Sequence, residues 1–401
     1  MVSVAVPEPA ALAPSSLDEA AAAMRTLARD RLSVVFEGGG TDAGLGAPAR
    51  ADAVLRTGGL AGIVEHAPSD QIVAVQAGMP LAALQAALAP HGQRLALDPP
   101  LADRATAGGV LCANAFGPRR TRYGSVRDLV IGVTMIRADG VVARGGGKVV
   151  KNVAGFDLPR VLFGSLGTLG LVAEVVFRLH PLPEASATVL VPGVSPADAW
   201  ALTKAALDAR LEPAAVVAFD VPVTPAGEGA WTIALRFEGF APGVRDQVER
   251  LSALAEFTPR RVERLDGADE AALWSRHDAL RVAGDLRAKA TFPPASLAGA
   301  AVALAPLSRS LRGAATVAYP TLGIAFTTGV AGEGTAREVE AARAALGRDR
   351  GSLVLCEAPA SVRAQVDSWG PPPPAIALMR RLKAELDPEG RLAPGRFVGG
   401  I

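Results

Sequence analysis

Three glycine-rich stretches in the first 184 residues constrain this chain more than anything else in it. They are "EGGGTD" at 37–42, "DPPLADRATAGGVLCANAFGPRRTRYGSVRD" at 98–128 and "KVVKNVAGFDLPRVLFGSLGTLGLVAE" at 148–174. The first follows "LSVVFE", which is apolar and β-branched and reads as a short buried strand. Before it, "SSLDEAAAAMRTLARDR" reads as a helix, with Ser16 as N-cap and Leu17, Ala21, Met24 and Ala28 near helical spacing. Glycines straight after a strand let backbone N–H groups turn toward an anion with no Cβ in the way. One such run is also an ordinary turn. Three together supply many backbone donors and close approaches for one extended ligand.

The totals narrow the classes. A chain of 401 residues has room for two or three domains, and with 50% hydrophobic and 20% charged residues it is globular. A net charge of +1, no basic stripe and only 4% aromatics argue against nucleic acid. No apolar run reaches the length of a membrane span. The start, "MVSVAVPEPAALAPSS", has no basic n-region and reads as a flexible leader over 1–15. Cys112 and Cys356, far apart and in no CxxC, read as two reduced structural thiols of a cytoplasmic protein.

Further along, "QIVAVQAG" reads as a strand and "PLAALQAALAPHG" as a helix opened by Pro80 and closed by Gly92. Residues 98–128 show little periodicity and read as a long functional loop. A hairpin over "LVIGVTMIRADGVVARGG" turns at Ala138-Asp139-Gly140, and "LVAEVVFRL" is a strand ended by "HPLPEA". From 185 to 370 strands and amphipathic helices alternate, as in an α+β domain with a large, mainly antiparallel sheet. A linker, "WGPPPPA", then leads over 371–401 to a last helix, "AIALMRRLKAEL", and a tail.

Several signatures fail. Gly147-Lys148 is followed by Val149, so no Walker A loop is present. "GLGAPA" at 44–49 departs from the Rossmann fingerprint at Pro48. His66, His91, His180 and His277 are too scattered for metal pairs, no metal site is expected, and no GxSxG elbow occurs.

The glycine stretches resemble the FAD-binding domain of the vanillyl-alcohol oxidase/p-cresol methylhydroxylase (PCMH) superfamily. Within it, "ATAGGVLCANAFGPRRTRYGSVRDLVIG" and "GGKVVKNVAGFDLPRVLFGSLGTLGLVAEV" most resemble the FAD-binding subunit of bacterial glycolate oxidase. The closing "LKAELDPEGRLAPGRF" is similar to the tail of that family and of D-lactate dehydrogenases. The resemblance implies an α+β fold: a two-part PCMH-type FAD-binding domain over 16–184, a C-terminal domain over 185–370, and a tail returning to the FAD domain. It implies that Gly38, Gly39, Gly40, Thr41 and Asp42 hold the FAD pyrophosphate. It places Pro100, Thr106, Ala107, Gly108 and Gly109 near flavin and pyrophosphate, with Asn114 and Gly117 continuing that wall. Tyr123, Gly124 and Asp128 would fix the loop's exit. Gly164, Gly167, Gly170, Leu171 and Val172 would lie near the adenine, and Lys151 and Asp157 either touch FAD or hold loops. Arg396 would sit near the isoalloxazine, as the one weak candidate for a catalytic group. No histidine or cysteine lies in "GGGTD", where some relatives attach flavin covalently, so non-covalent FAD is expected.

The departures matter too. Family members that oxidise 2-hydroxy acids alone carry a histidine-rich substrate and metal site in the C-terminal domain, and here His277 is the only histidine after His180. Arg281, Arg287 and Arg363 are candidates to grip a carboxylate. The resemblance therefore implies an FAD-binding subunit of a glycolate-oxidase-like dehydrogenase, working with a related flavoprotein catalytic subunit and an iron–sulfur subunit. Any membrane association would be peripheral, through that complex. A stand-alone dehydrogenase of D-lactate type and a non-catalytic assembly subunit are the alternatives.

Overall fold

The computed structural model describes residues 9–148, 157–221, 223, 231–256, 262–348 and 350–401. They form two compact units: one of the chain up to Phe116 with Ser125–Pro181 and Pro371–Ile401, the other of Gly117–Gly124 and Leu182–Gly370.

The first unit opens with β1 (Ala10–Leu12), α1 (Leu17–Arg29), β2 (Val34–Glu37) and β3 (Ala53–Arg56). The Ser16 hydroxyl accepts from the Glu19 amide, and α1 buries Ala20, Ala21, Met24 and Leu27. β3 lies between β1 and β2, both parallel to it. Residues 10–12, expected in a flexible leader, are thus a paired strand. "AAL" is too short and too small-sided to announce itself, and its partner β3 was itself not foreseen.

Next come β4 (Ile63–Ala67), β5 (Ile72–Gln76), α2 (Leu81–Leu88), β6 (Gln93–Arg94) and α3 (Ala107–Ala113). The short turns α4 (Arg120–Tyr123), which belongs to the second unit, and α5 (Val126–Leu129) precede β7 (Val130–Ile136) and β8 (Val142–Gly146). Then follow α6 (Leu158–Leu162), β9 (Leu171–Arg178) and β10 (His180–Pro181). Five of these strands make an antiparallel sheet in the order β4-β5-β9-β7-β8, and its core joins Val75, Leu84, Leu111, Val133 and Phe177. The expected aperiodic loop at 98–128 therefore contains a helix. Gly108 and Gly109 hide α3 from a propensity reading, but its Ala107, Val110 and Leu111 are buried and it packs on β5 and β9.

The second unit carries β11 (Ala185–Val194), α7 (Pro196–Asp208), β12 (Ala215–Phe219), β13 (Trp231–Gly239) and α8 (Ala241–Glu256). It continues through β14 (Glu263–Leu265), α9 (Gly267–Leu280), β15 (Leu286–Thr291), α10 (Leu297–Arg309) and β16 (Leu311–Tyr319). It closes with β17 (Ile324–Ala331), α11 (Thr335–Arg348), β18 (Ser352–Glu357) and α12 (Ala360–Arg363). Its eight strands pair antiparallel in the order β14-β11-β13-β12-β16-β17-β15-β18. Alternate residues such as Ile233, Leu235 and Phe237 join the core under α7, α8, α10 and α11. Arg236 and Glu238 therefore point to the opposite face, where α9 lies. The last helix, α13 (Ile376–Leu386), belongs to the first unit.

Candidate functional site

A cavity of about 560 Å³ opens in the first unit where β2 ends, and its walls come from all three glycine stretches. Gly38, Gly39, Gly40, Thr41 and Asp42 line one side, and Thr106, Gly108 and Gly109 another. Gly167, Gly170, Leu171 and Val172 close a third, with Arg396 from the tail. The volume falls in the usual range of small-molecule and cofactor sites.

The "GGG" run is needed for two physical reasons. A Cβ on Gly39 would lie 1.7 Å from the Arg104 carbonyl oxygen, so only glycine lets the two backbones pass. Gly40 has φ +70°, in the left-handed region. Among the described residues, the amides of Gly38, Gly39 and Gly40 donate to no protein acceptor. The amides in α3 differ: Ala107 donates to Met79 O, Gly108 to Ala77 O and Gly109 to the Thr106 hydroxyl. Gly108 serves close packing, because a Cβ there would meet the Ala77 Cβ at 2.6 Å.

Arg396 reaches back to the glycine loop. Its Nη2 donates to Asp42 O at 3.2 Å and its Nε to Leu45 O at 3.4 Å. Burial pulls its pKa down while Asp42 and Cys112 push it up, and a guanidinium stays charged throughout.

Not every expected residue joins the cavity. Pro100, Ala107, Asn114 and Gly164 lie outside its lining; Asn114 instead ends α3 at φ +51°. Gly117, Tyr123 and Gly124 belong to the second unit, where Arg119 pairs with Glu238 and Arg122 with Glu212. Asp128 accepts from the Ser125 amide and hydroxyl, both at 2.8 Å, and Asp157 caps α6. Both hold turns. Lys151 lies outside the described residues. The cavity also uses residues not foreseen: Arg104, whose Nη2 donates to Gly39 O at 3.1 Å, and Cys112. Arg104 stands two residues before Thr106, within a quoted motif, so its position was the available signal.

The candidate carboxylate grips belong to the second unit and are not among this cavity's lining residues. Arg287 is buried on β15, and Arg363 donates to Ala358 O and the Ser368 hydroxyl. Arg281 donates to the Tyr319 hydroxyl and lies 3.7 Å over the Phe326 ring. Tyr319 Oη also sits 2.9 Å from His277 Nε2. Burial holds the His277 imidazole below its ordinary 6.5; the Asp278 hydrogen bond opposes this and the Arg281 charge adds to it. Below about pH 6.5 the unfolded chain takes up a proton that the folded site refuses. Stability of the second unit should therefore fall on acidification, by up to about 1.4 kcal/mol per pH unit. All four tryptophans (200, 231, 274 and 369) lie in this unit, so urea melts followed by their fluorescence report it. His277→Gln should flatten the profile; an unchanged acid slope would assign it elsewhere.

Comparison with known proteins fits the geometry. Residues 9–146 match the FAD binding domain family. The chain is 39% identical over 158 residues to the glycolate oxidase subunit GlcE of Escherichia coli, covering 39% of this chain and 45% of that one. It is 35% identical over 182 residues to the glycolate oxidase subunit GlcD of Bacillus subtilis, covering 45% and 39%. The aligned part thus spans less than half the length of either relative. The crystal structure of p-cresol methylhydroxylase with substrate bound superposes with a TM-score of 0.75 at 14% identity, covering 96% of this chain and 88% of that one. The chain shares the fold of p-cresol methylhydroxylase. Residues 9–146 are similar to an FAD binding domain.

The residues present fit the cofactor: three glycines with uncommitted amides line the cavity in a loop that excludes side chains, which suits a pyrophosphate. Cys112 offers an internal footprint. Burial raises its thiol to about 11, against weaker pulls from Ser165, the Gly167 amide and Arg396, so it reacts slowly near neutrality. Saturating FAD should slow Cys112 alkylation at least tenfold, read by peptide mass spectrometry against buried Cys356. Equal rates with and without FAD would place the cofactor elsewhere.

Proposed function

We propose that this chain is the FAD-holding subunit of a dehydrogenase that oxidises glycolate or a related 2-hydroxy acid to the 2-oxo acid. The observation that carries the reading is the Gly38–Gly40 cradle with its uncommitted amides, set in a chain whose aligned part is 39% identical to a glycolate oxidase subunit. The cradle, with Thr41 and Asp42, holds the pyrophosphate without a covalent link. Thr106, Gly108 and Gly109 bring α3 against the cofactor, while Gly167, Gly170, Leu171 and Val172 form the opposite wall. Arg396 keeps a positive charge at the cavity, where developing negative charge is stabilised. Bound FAD supplies a two-electron acceptor for the substrate's α-carbon.

The substrate hydroxyl must also lose a proton. His277 and Tyr319, the protonable groups of the second unit's buried cluster, are engaged with each other and with Arg281. That arrangement favours completion of the active site by partners: a related flavoprotein subunit and an iron–sulfur subunit. No helix among the described residues is long and apolar enough to cross a membrane, and we place the complex in the cytoplasm.

The test is anaerobic mixing of the FAD-loaded chain with glycolate and other 2-hydroxy acids. The chain alone should bleach its flavin slowly or not at all, with turnover restored by the partner subunits. Rapid bleaching by the chain alone would overturn the subunit reading in favour of a stand-alone dehydrogenase. Flavin binding with no turnover even in the assembled complex would favour an assembly role.

A further inference from the structure

The tail carries a buried cation that the proposed chemistry does not use. Lys383, on α13, has a side chain only 12% exposed. Its ammonium donates to Asp387 Oδ2 at 2.7 Å, to Leu392 O at 2.8 Å and to Thr168 O at 2.8 Å. Three donors thus meet three acceptors, which saturates the group. The Asp387 carboxylate is fully buried, and its Oδ2 also accepts from the Leu392 amide at 2.7 Å.

Two of these acceptors adjoin different parts of the cavity's lining: Thr168 follows Gly167, and Leu392 is bridged to Val34, which precedes Val35. Leu392 is bridged to Val34 at the start of β2; the Val34 amide donates to Arg391 O and its carbonyl accepts from the Ala393 amide. β2 runs from there straight into Gly38, and four residues past Leu392 the Arg396 side chain grips the carbonyls of Asp42 and Leu45. Thr168, by contrast, lies between the lining residues Gly167 and Gly170. A surface lysine would serve the i,i+4 pair with Asp387 as well. Burying the ammonium costs solvation that only well-placed acceptors offset, and here two of the three are carbonyls next to separate parts of the lining.

We infer that Lys383 is a positioning residue of the FAD site, fixing the 165–172 wall to the tail that also holds the glycine loop. This rests on the reading of the cavity as the FAD site. Without the ammonium, the two walls keep their separate anchors but lose the tie that sets their spacing, and an extended ligand gripped at both ends feels that loss.

The experiment compares the full-length chain with K383M/D387N. The double variant removes both buried charges together, yet asparagine can still accept from the Leu392 amide. If Lys383 only stabilises the fold, this neutral pair restores both thermal stability and FAD affinity. As a positioning residue it leaves FAD Kd at least tenfold weaker, with an altered visible circular dichroism band of the bound flavin, even when the melting temperature matches wild type. Wild-type affinity and an unchanged flavin band in the double variant overturn the inference. Should that variant fail to fold, K383Q keeps two of the three N–H donors but no charge, and its FAD release rate should rise at least threefold; an unchanged rate also overturns it. A wild-type chain that binds no FAD at all would instead defeat the underlying reading.

Discussion

Gly39→Val should weaken FAD binding at least 100-fold, about 2.7 kcal/mol or more. The Cβ alone would sit 1.7 Å from the Arg104 carbonyl oxygen and 2.5 Å from its carbon, so backbone has to move. What moves is the cradle itself. Gly39 O accepts from Arg104 Nη2, and Thr106, two residues on, sets α3 against the loop. A valine adds two methyl groups to that clash. Gly40→Ala tests the other requirement: φ +70° costs an alanine about 1–2 kcal/mol, so a smaller loss is expected there. Equilibrium titration with FAD, at a temperature where far-UV circular dichroism matches the wild-type chain, separates binding from unfolding. Wild-type affinity in Gly39→Val would reduce "GGGTD" to an ordinary turn.

Glu238→Ala should destabilise the second unit by about 3–5 kcal/mol, the usual cost of stranding buried charge. The Glu238 side chain is fully buried on β13, and its Oε1 lies 2.8 Å from Arg119 Nη2 and 3.1 Å from Arg236 Nε. Arg236 Nε also pairs with Glu270 at 3.2 Å, and Glu270 accepts from the Ser186 and Thr188 hydroxyls. Removing Glu238 thus leaves two guanidiniums short of one anion. It also removes one anchor of the 117–124 segment, which Arg122 still ties to Glu212 and to the residue-238 carbonyl. Glu238→Gln keeps an acceptor and should cost less. A loss below about 1 kcal/mol for the alanine variant, in urea melts followed by tryptophan fluorescence, would show that solvent screens the network as it does a surface pair.

How much of this was legible in the sequence depended on what kind of signal each element left. Helix α1 announced itself through Ser16 and the spacing of its buried alanines and Met24, and β9 through an apolar run interrupted only by Glu174. The large antiparallel sheet followed from alternating strands and amphipathic helices. Strand β1 and helix α3 stayed hidden because tertiary packing makes them. "AAL" is a strand only because β3 lies beside it, and "AGGVLCA" is a helix only because small residues let it press onto β5 and β9. The cavity's glycines were legible as a group, but not their separate reasons. That Gly39 faces Arg104, or that Gly108 faces Ala77, depends on contacts 65 and 31 positions away along the chain. For the same reason Lys383 looked like any lysine on an exposed helix. Its acceptor Thr168 lies 215 residues earlier, and no spacing rule reaches that far.

The central claim is that the cavity at the end of β2 holds FAD without a covalent link. The most direct measurement is the visible absorption spectrum of the purified chain, taken before and after mild heat or acid releases its ligand, with mass spectrometry of what is released. The account predicts a yellow protein that yields intact FAD, turns colourless, and regains its spectrum when FAD is returned. A colourless protein that FAD cannot reconstitute, or a flavin that stays attached after denaturation, would contradict it.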